Sequence, residues 1–495
     1  MLKIWNTVLL LIITAMIAAG THADNLDRSV VEVQVTVQTA DPSMPWRRNP
    51  PQVRRGFAAV IAPGRAITTE NLVRDHVMVE LRRTRSGAKT AVRVAEADPQ
   101  TGAAILTWEH VPTLADLKPI ALAKTVPTNA EVTIVQFNDT GQIQRDQARI
   151  TEVAVAPLPN APGTMLMFRA LTSLNTGDRG APVLYHNQLA GLVLHSDRNS
   201  QTCRILPVAA IRRFLEDTQT PPYRGVALAG FTWAPLVDPV KRAFRGADPG
   251  YTEGDPGGGI EVTHILPGSG ADGILKPGDI IFEWDGADLD SQGYYDDPEF
   301  GRLLLPYLIT GRGRPGDTVI LTVLRDGECQ DMPLILSRRQ DANALIPENI
   351  SLKQPEYLVD YGFIFRELGG DYLRAAGKQW MFHGNPRLVH LYLTRAQDSE
   401  RPGDHIVILV GVLPDPVNIG YQHIRNAVVT AVNGEPIHCL ADVFRIKDRD
   451  NGIHRISLQS YGQQIVLDPA VREQANHRLA ALYRIPALQY RKKEK

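Results

Sequence analysis

The chain is expected to be mainly β, with two barrels of short strands followed by two smaller α+β modules. Three observations predict this. From residue 56 to about 208, short runs of Val, Ile and Leu follow one another, split by Gly, Pro, Asn and Asp. No helical period appears in that stretch until "VAAIRRFLEDT" at 208–218. The length, 495 residues, exceeds what one core can bury, and 40 Gly with 35 Pro supply many turns.

The elements follow in order. Residues 1–23 read as an export signal removed before folding. Lys3 gives a positive start, and Val8 to Ala19 form an apolar run shorter than the ~20 residues a spanning helix needs. Thr21-His22-Ala23 offers a cleavage site, so the mature chain is expected in the periplasm or outside the cell. The rival is an uncleaved anchor; no later stretch could span a membrane. Residues 24–222 form the barrel region. "RSVVEVQVTVQT" (28–39) alternates Val with polar residues, a half-buried strand. A Pro/Arg loop, "DPSMPWRRNPPQVRR" (41–55), precedes the run of strands, and "QTPP" (219–222) is a linker. Residues 223–340 mix strands with one helix-like stretch, "DPEFGRLLLPYLIT" (297–310), and a Gly/Asp-rich surface insertion at 246–259. After a connector (341–356), residues 357–470 repeat the logic, and 471–495 is a helical tail. "IIFEWDG" (280–286) and "VVTAVNG" (428–434) look like distant copies of one strand-and-turn unit.

Several classes are excluded. With 53 basic and 54 acidic residues there is no basic excess for nucleic acid. Cys203, Cys329 and Cys439 are odd in number and fall in different domains, so they read as small buried residues rather than a disulfide framework. No Cys/His cluster has metal-ligand spacing, and no cofactor is implied. "GRGRPG" (311–316) mimics a dinucleotide loop, but a strand follows it where a helix is required, so it reads as a hairpin-type turn.

Three stretches carry a family resemblance. "GFAAVIAPGRAITTENL" (56–72) resembles the HtrA/Deg pattern in which a strand ends at the catalytic His; that position holds Asn71. "DPQTGAAIL" (98–106) resembles "DPxxDLAVL", and the orienting Asp is Gly102. "LNTGDRGAPVL" (174–184) resembles the nucleophile loop "INPGNSGGPL", and the Ser is Arg179. Order and spacing match, and the likeness covers nearly all of the mature chain. It implies a chymotrypsin-like double barrel and two PDZ-like modules. "IEVTHILPGSGADGILKPGDIIFEWDG" (260–286) resembles a PDZ core. Leu228-Ala229-Gly230-Phe231 resembles the family's loop whose backbone N–H groups cup a terminal carboxylate. In the second, divergent module Tyr361-Gly362-Phe363 is either such a loop or core packing.

The residues themselves forbid the parent chemistry. Acyl transfer of this kind needs a hydroxyl, a base and a carboxylate that fixes the base. An amide is not basic, glycine orients nothing, and a guanidinium offers no nucleophile. A degenerate triad at Asn71, Gly102 and Arg179 therefore predicts a pseudoprotease: a scaffold, chaperone-like protein or regulator binding C-termini or unfolded segments. By resemblance it is a homo-oligomer, a trimer, with Trp46 a candidate contact, and it could mix with an active relative. The alternative is an active endopeptidase with a relocated centre. His195–Ser196 would be the pair, though adjacent strand residues face opposite sides; His76, His186, Ser173 and Thr176 are the other polar candidates. A metal site of Glu70, Asp178 and His195 competes with Glu70 and Asp178 simply pairing with Arg179 or other nearby arginines.

Overall fold

The computed structural model describes residues 26–492 except 27, 83–86, 110, 139, 159–162, 173–178, 198, 221, 248–257, 349–350, 352–353, 398, 400, 402, 451 and 460–463. The export signal and most of the insertion at 246–259 lie outside the described residues.

The chain is mainly β, and its first half forms two closed six-stranded antiparallel barrels. The first holds β1 (Val30–Val37), β2 (Gln52–Ala62), β3 (Arg65–Thr69), β4 (His76–Arg82), β5 (Lys89–Asp98) and β6 (Ala103–Thr107), ordered β1-β2-β3-β6-β5-β4. The alternation in β1 does what its period requires: Val31, Val33, Val35 and Val37 are buried in one cluster with Ala58, Leu81 and Leu106. A single helical turn, α1 (Glu70–Val73), follows β3. The second barrel holds β7 (Glu131–Phe137), β8 (Ile143–Pro157), β9 (Thr164–Thr172), β10 (Pro182–Tyr185), β11 (Gln188–Asp197) and β12 (Thr202–Pro207), ordered β10-β11-β12-β9-β8-β7. α2 (Val208–Gln219) closes it, burying Ile211 and Phe214 on one face.

The first PDZ-like module contains β13 (Ala227–Leu228), β14 (Phe231–Pro235), α3 (Pro239–Arg245), β15 (Ile260–Ile265), β16 (Ile280–Trp284), β17 (Ala287–Asp288), β18 (Tyr294–Asp297), β19 (Gly301–Leu304), β20 (Thr318–Arg325), β21 (Glu328–Ile335) and β22 (Ser337–Arg338). Its main sheet runs β14-β15-β16-β20-β21. The helix expected over 297–310 is mostly absent. Asp297 Oδ1 accepts from the amides of Glu299 and Phe300, Gly301 takes φ +75°, and β18–β19 form a hairpin. Only a wide helical turn, Leu308–Arg312, remains. An Asx-capped turn and a left-handed glycine outcompeted the apolar run. "GRGRPG" is a turn, entered from that helical turn rather than from a strand, so it does not close a hairpin. Cys203 is buried and burial pushes its thiol up to about 12, whereas Cys329 is exposed on β21, contrary to its expected burial.

The second module contains β23 (Tyr357–Asp360), β24 (Phe363–Glu367), α4 (Gly370–Arg374), α5 (Trp380–His383), α6 (Pro386–Arg395), β25 (Val407–Val412), β26 (Ala427–Val432), β27 (Glu435–Pro436), α7 (Leu440–Arg449), β28 (Arg455–Leu458) and β29 (Gln464–Val466). From the tail, α8 (Arg472–Tyr483) leads to β30 (Gln489–Tyr490), which pairs with β23. The two copies noted in the sequence match: Asp285-Gly286 and Asn433-Gly434 take φ 48°, 79° and 50°, 90°, the mirror-image hairpin turn in both.

The modules are packed together. Phe300 meets Phe168 of the second barrel at 6.2 Å between ring centroids, and Arg314 Nε donates to Asp217 Oδ1 at 2.9 Å. Trp46 is not presented to a neighbouring subunit as expected. It is 8% exposed, 5.9 Å from Tyr357 between ring centroids, inside an apolar cluster of the second module with Ile346 and Leu388. Burying an indole within its own chain outweighs holding it free for a partner.

Candidate functional site

Asn71, Gly102 and Arg179, the three positions expected to be a degenerate triad, converge at the seam between the barrels. β2 and the segment before β10 approach so closely that side chains are excluded. The Phe57 amide donates to the Arg179 carbonyl at 2.9 Å, and a Cβ on Gly56 would stand 2.3 Å from that same oxygen. Gly180, at φ +78°, lies against the Phe57 carbonyl with equal lack of room. Asn71 sits in α1 and spans the seam. Its Nδ2 donates to the Leu194 carbonyl of β11 at 3.0 Å, and its Oδ1 accepts from Thr69 Oγ1 at 2.7 Å. Gly102 ends a turn in which its amide donates to the Asp98 carbonyl, and its carbonyl accepts from the Glu70 amide at 2.8 Å. At φ +75° it holds a left-handed conformation that glycine adopts without steric cost.

Asn71 and Arg179 line one cleft of about 860 Å3, together with Leu194 and His195. Arg54 and Arg74 of the first barrel also line it, as do Arg374 and Lys378 of the second module, which forms a roof. Sequence reasoning missed this basic lining. Arg54 stands in the stretch read as a Pro/Arg loop, but Arg374 and Lys378 come from about 300 residues further along the chain and left no local signal.

The rival centres are separated. His195 is exposed and Ser196 buried, on opposite faces of β11. His76 places Nδ1 2.9 Å from the Val73 carbonyl, and His186 occupies a hairpin turn at φ 48° beside Tyr185. Glu70 forms a bidentate pair with Arg74, so among the arginines open to it the partner is its own i+4 neighbour. Ser173, Thr176 and Asp178 lie outside the described residues. Asp98, which precedes the Gly102 turn, is buried and accepts from the Tyr223 hydroxyl; burial raises its carboxyl above the usual range, against those hydrogen bonds.

In the first PDZ-like module, the loop Leu228-Ala229-Gly230-Phe231 leads into the edge strand β14. Gly230 is at φ +86°, and a Cβ there would stand 2.1 Å from Ser269 Oγ. Its carbonyl accepts from the Leu266 amide at 2.8 Å and Ser269 Oγ at 3.1 Å. Among the described residues no backbone carbonyl takes the amides of Ala229 or Gly230. Leu228 opens onto a pocket of about 90 Å3 shared with Gly268 and Ser269, and with Gln397 and Ser399 of the second module. In the second module, Tyr361-Gly362 is a tight hairpin turn with both aromatics buried; the Tyr361 amide donates to Asn476 Oδ1 and its carbonyl accepts from Asn418 Nδ2. That resolves its two readings in favour of core packing.

A family model described as a PDZ domain matches residues 346–489. "Protease Do-like 2, chloroplastic" of Arabidopsis thaliana is 24% identical over 426 residues, covering 85% of this chain and 67% of that protein. "Protease Do-like 4, mitochondrial" of the same organism is 22% identical over 463 residues, covering 93% and 84%. Among solved structures, an HtrA-type protease AlgW with tripeptide is similar at TM-score 0.49 and 16% identity, covering 65% of this chain and 97% of that one.

Proposed function

Starting from a chain that belongs to the HtrA/Deg family, we propose an exported pseudoprotease of the cell envelope that binds polypeptide and does not cut it. The relatives are named as proteases, so the inactive reading is carried by one observation on this chain. The seam that should join a base to a nucleophile holds the Asn71 amide, engaged at both ends, and Arg179. Neither can take a proton from, or supply, an attacking hydroxyl near neutral pH.

Binding is assigned to Leu228–Phe231. Two adjacent amides with no backbone acceptor among the described residues, at a left-handed glycine beside an edge strand, suit a terminal carboxylate followed by an added strand. The expected ligands are C-termini or unfolded segments. The expected assembly is a homo-oligomer, a trimer by family likeness, able to mix with an active relative; contacts other than Trp46 must make it.

A serine-reactive fluorophosphonate probe and a casein assay test the reading. No labelling and no cleavage are expected from the purified chain. Labelling that disappears in Ser196→Ala or Ser173→Ala would instead establish a relocated centre.

A further inference from the structure

We propose that the cleft at the barrel seam is itself a binding site for anionic polypeptide, with a Glu or Asp carboxylate clasped by Arg54 and Arg179 and the roof residue Lys378. This site is separate from the terminal-carboxylate loop and does not depend on it.

The cleft's charges sort into committed and uncommitted groups. Arg74 is held by Glu70 and Arg374 by Glu348. The carboxylates along the wall are engaged as well. Asp41 accepts from the amides of Ser43 and Met44, Asp75 from Ser351 Oγ at 2.7 Å, and Asp371 from the buried Arg366. Arg54, Arg179 and Lys378 remain. Among the described residues Arg54 donates only to the carbonyls of Arg74 and Asn71, at 3.0 and 3.4 Å. Among the described residues no carboxylate pairs with Arg179 or Lys378. Burial, and next the like charge of Arg179, lower the Arg54 guanidinium from its ordinary value, with Asp75 opposing. Two like charges kept together in a half-buried cleft are a standing repulsion, and an oxyanion between them removes it while accepting their planar N–H forks.

Volume selects a polypeptide over a free ion. A cleft of about 860 Å3 takes several residues of extended chain, far more than one small anion fills. Phosphate shares the recognition chemistry and serves as a competitor in the test.

The experiment uses the full chain and two dye-labelled decapeptides of Gly, Ser and Ala blocked at both ends, one with two central Glu and its twin with two Gln. Blocking the C-terminus removes any capture by Leu228–Phe231. Fluorescence anisotropy should show the Glu peptide binding at least about tenfold tighter, with affinity falling steeply as salt rises. Inorganic phosphate should displace it only at concentrations far above those of the peptide. Arg179→Gln and Arg54→Gln should each weaken the Glu peptide about fivefold or more and leave the Gln peptide unchanged. Lys378→Gln, at an exposed position where substitution changes stability little, should weaken it less but measurably. Equal affinity for the two peptides, or full affinity in the Arg54→Gln/Arg179→Gln double variant, overturns the assignment. So does displacement by phosphate at concentrations equal to the peptide's, which would indicate a small-anion site. If blocked peptides fail while free C-terminal peptides still bind, the cleft assignment falls and the reading of the PDZ loop stands.

Discussion

At Asn71 one amide does the work of a seam rivet, with Oδ1 tied to its own barrel through Thr69 and Nδ2 tied to the other through Leu194. Gly102 occupies a backbone position that disfavours a side chain. Its φ of +75° costs a side-chain-bearing residue roughly 1–2 kcal/mol, although a Cβ there would meet Leu158 and Leu194 only at ordinary contact distances of 3.4 and 3.5 Å. Gly102→Asp is therefore expected to destabilise the chain by about 1–2 kcal/mol in denaturant melts, and to add no cleavage even beside Asn71→His and Arg179→Ser. Robust casein hydrolysis by that triple variant would show the seam to be ready for catalysis. Motif order and spacing placed these three positions together in the sequence reading, and the structure brings them to one seam. The rivet was not legible there, since the acceptor on Leu194 lies 123 residues away and no local pattern encodes it.

Single strands and helices show where sequence patterns suffice and where polar detail takes over. The alternating valines of β1 and the amphipathic α2 formed as their periods require. The run at 297–310 did not, because Asp297 and Gly301 build a turn inside it that an apolar count ignores. In the second module, α8 is pinned by a buried carboxylate: Asp360 accepts from Arg472 Nε at 2.9 Å and Asn476 Nδ2 at 2.6 Å. Asp360→Ala leaves both donors unanswered, so a loss of about 3 kcal/mol is expected, read as a lower melting transition of that module. His405 and Glu367 make a second polar tie at 2.9 Å, and Glu367 also accepts from the Leu440 amide at the start of α7. Burial alone would push the His405 imidazole down, but the bond and charge of Glu367 raise it above the ordinary value. Burial likewise opposes the Glu367 carboxylate, yet His405 and the Leu440 amide bring it below the ordinary range. The raised histidine stabilises fully below its unfolded value and loses that contribution as pH climbs through its folded value. The lowered carboxylate does the reverse on the acid side. The tie is thus strongest between roughly pH 4.5 and 6.5. Stability of this module should fall as pH rises from 6 to 9, and His405→Gln should flatten that fall. An unchanged slope would mean the pair does not titrate as drawn.

At the scale of the whole molecule, the second module is joined to the first barrel through the loop at 41–55, and Trp46 is its centre. The indole lies in the module's own apolar cluster, Arg366 Nη1 reaches the Pro42 carbonyl at 3.2 Å, and Ser351 Oγ donates to Asp75. The same docking puts Lys378 and Arg374 over the cleft, so the roof exists only while the module stays seated. Nothing local in "DPSMPWRRNPP" announces this, because the partner surface belongs to residues some 300 positions later and forms only once both units are folded. The module keeps a second core of its own around Phe363, Leu409, Val443 and Ile456, which Trp46 does not touch. Trp46→Ala should therefore undock more than it unfolds. Removing a buried indole costs about 3–5 kcal/mol, enough to outweigh the few hydrogen bonds that remain across the contact. Three outcomes are expected together. Proteases should cut the connector at 341–356 sooner, small-angle scattering should show a larger radius of gyration, and the module's unfolding midpoint should shift little. Loss of the module's own transition in this variant would mean that barrel and module fold as one unit. An unchanged cutting rate would mean that the polar contacts hold the roof without the indole.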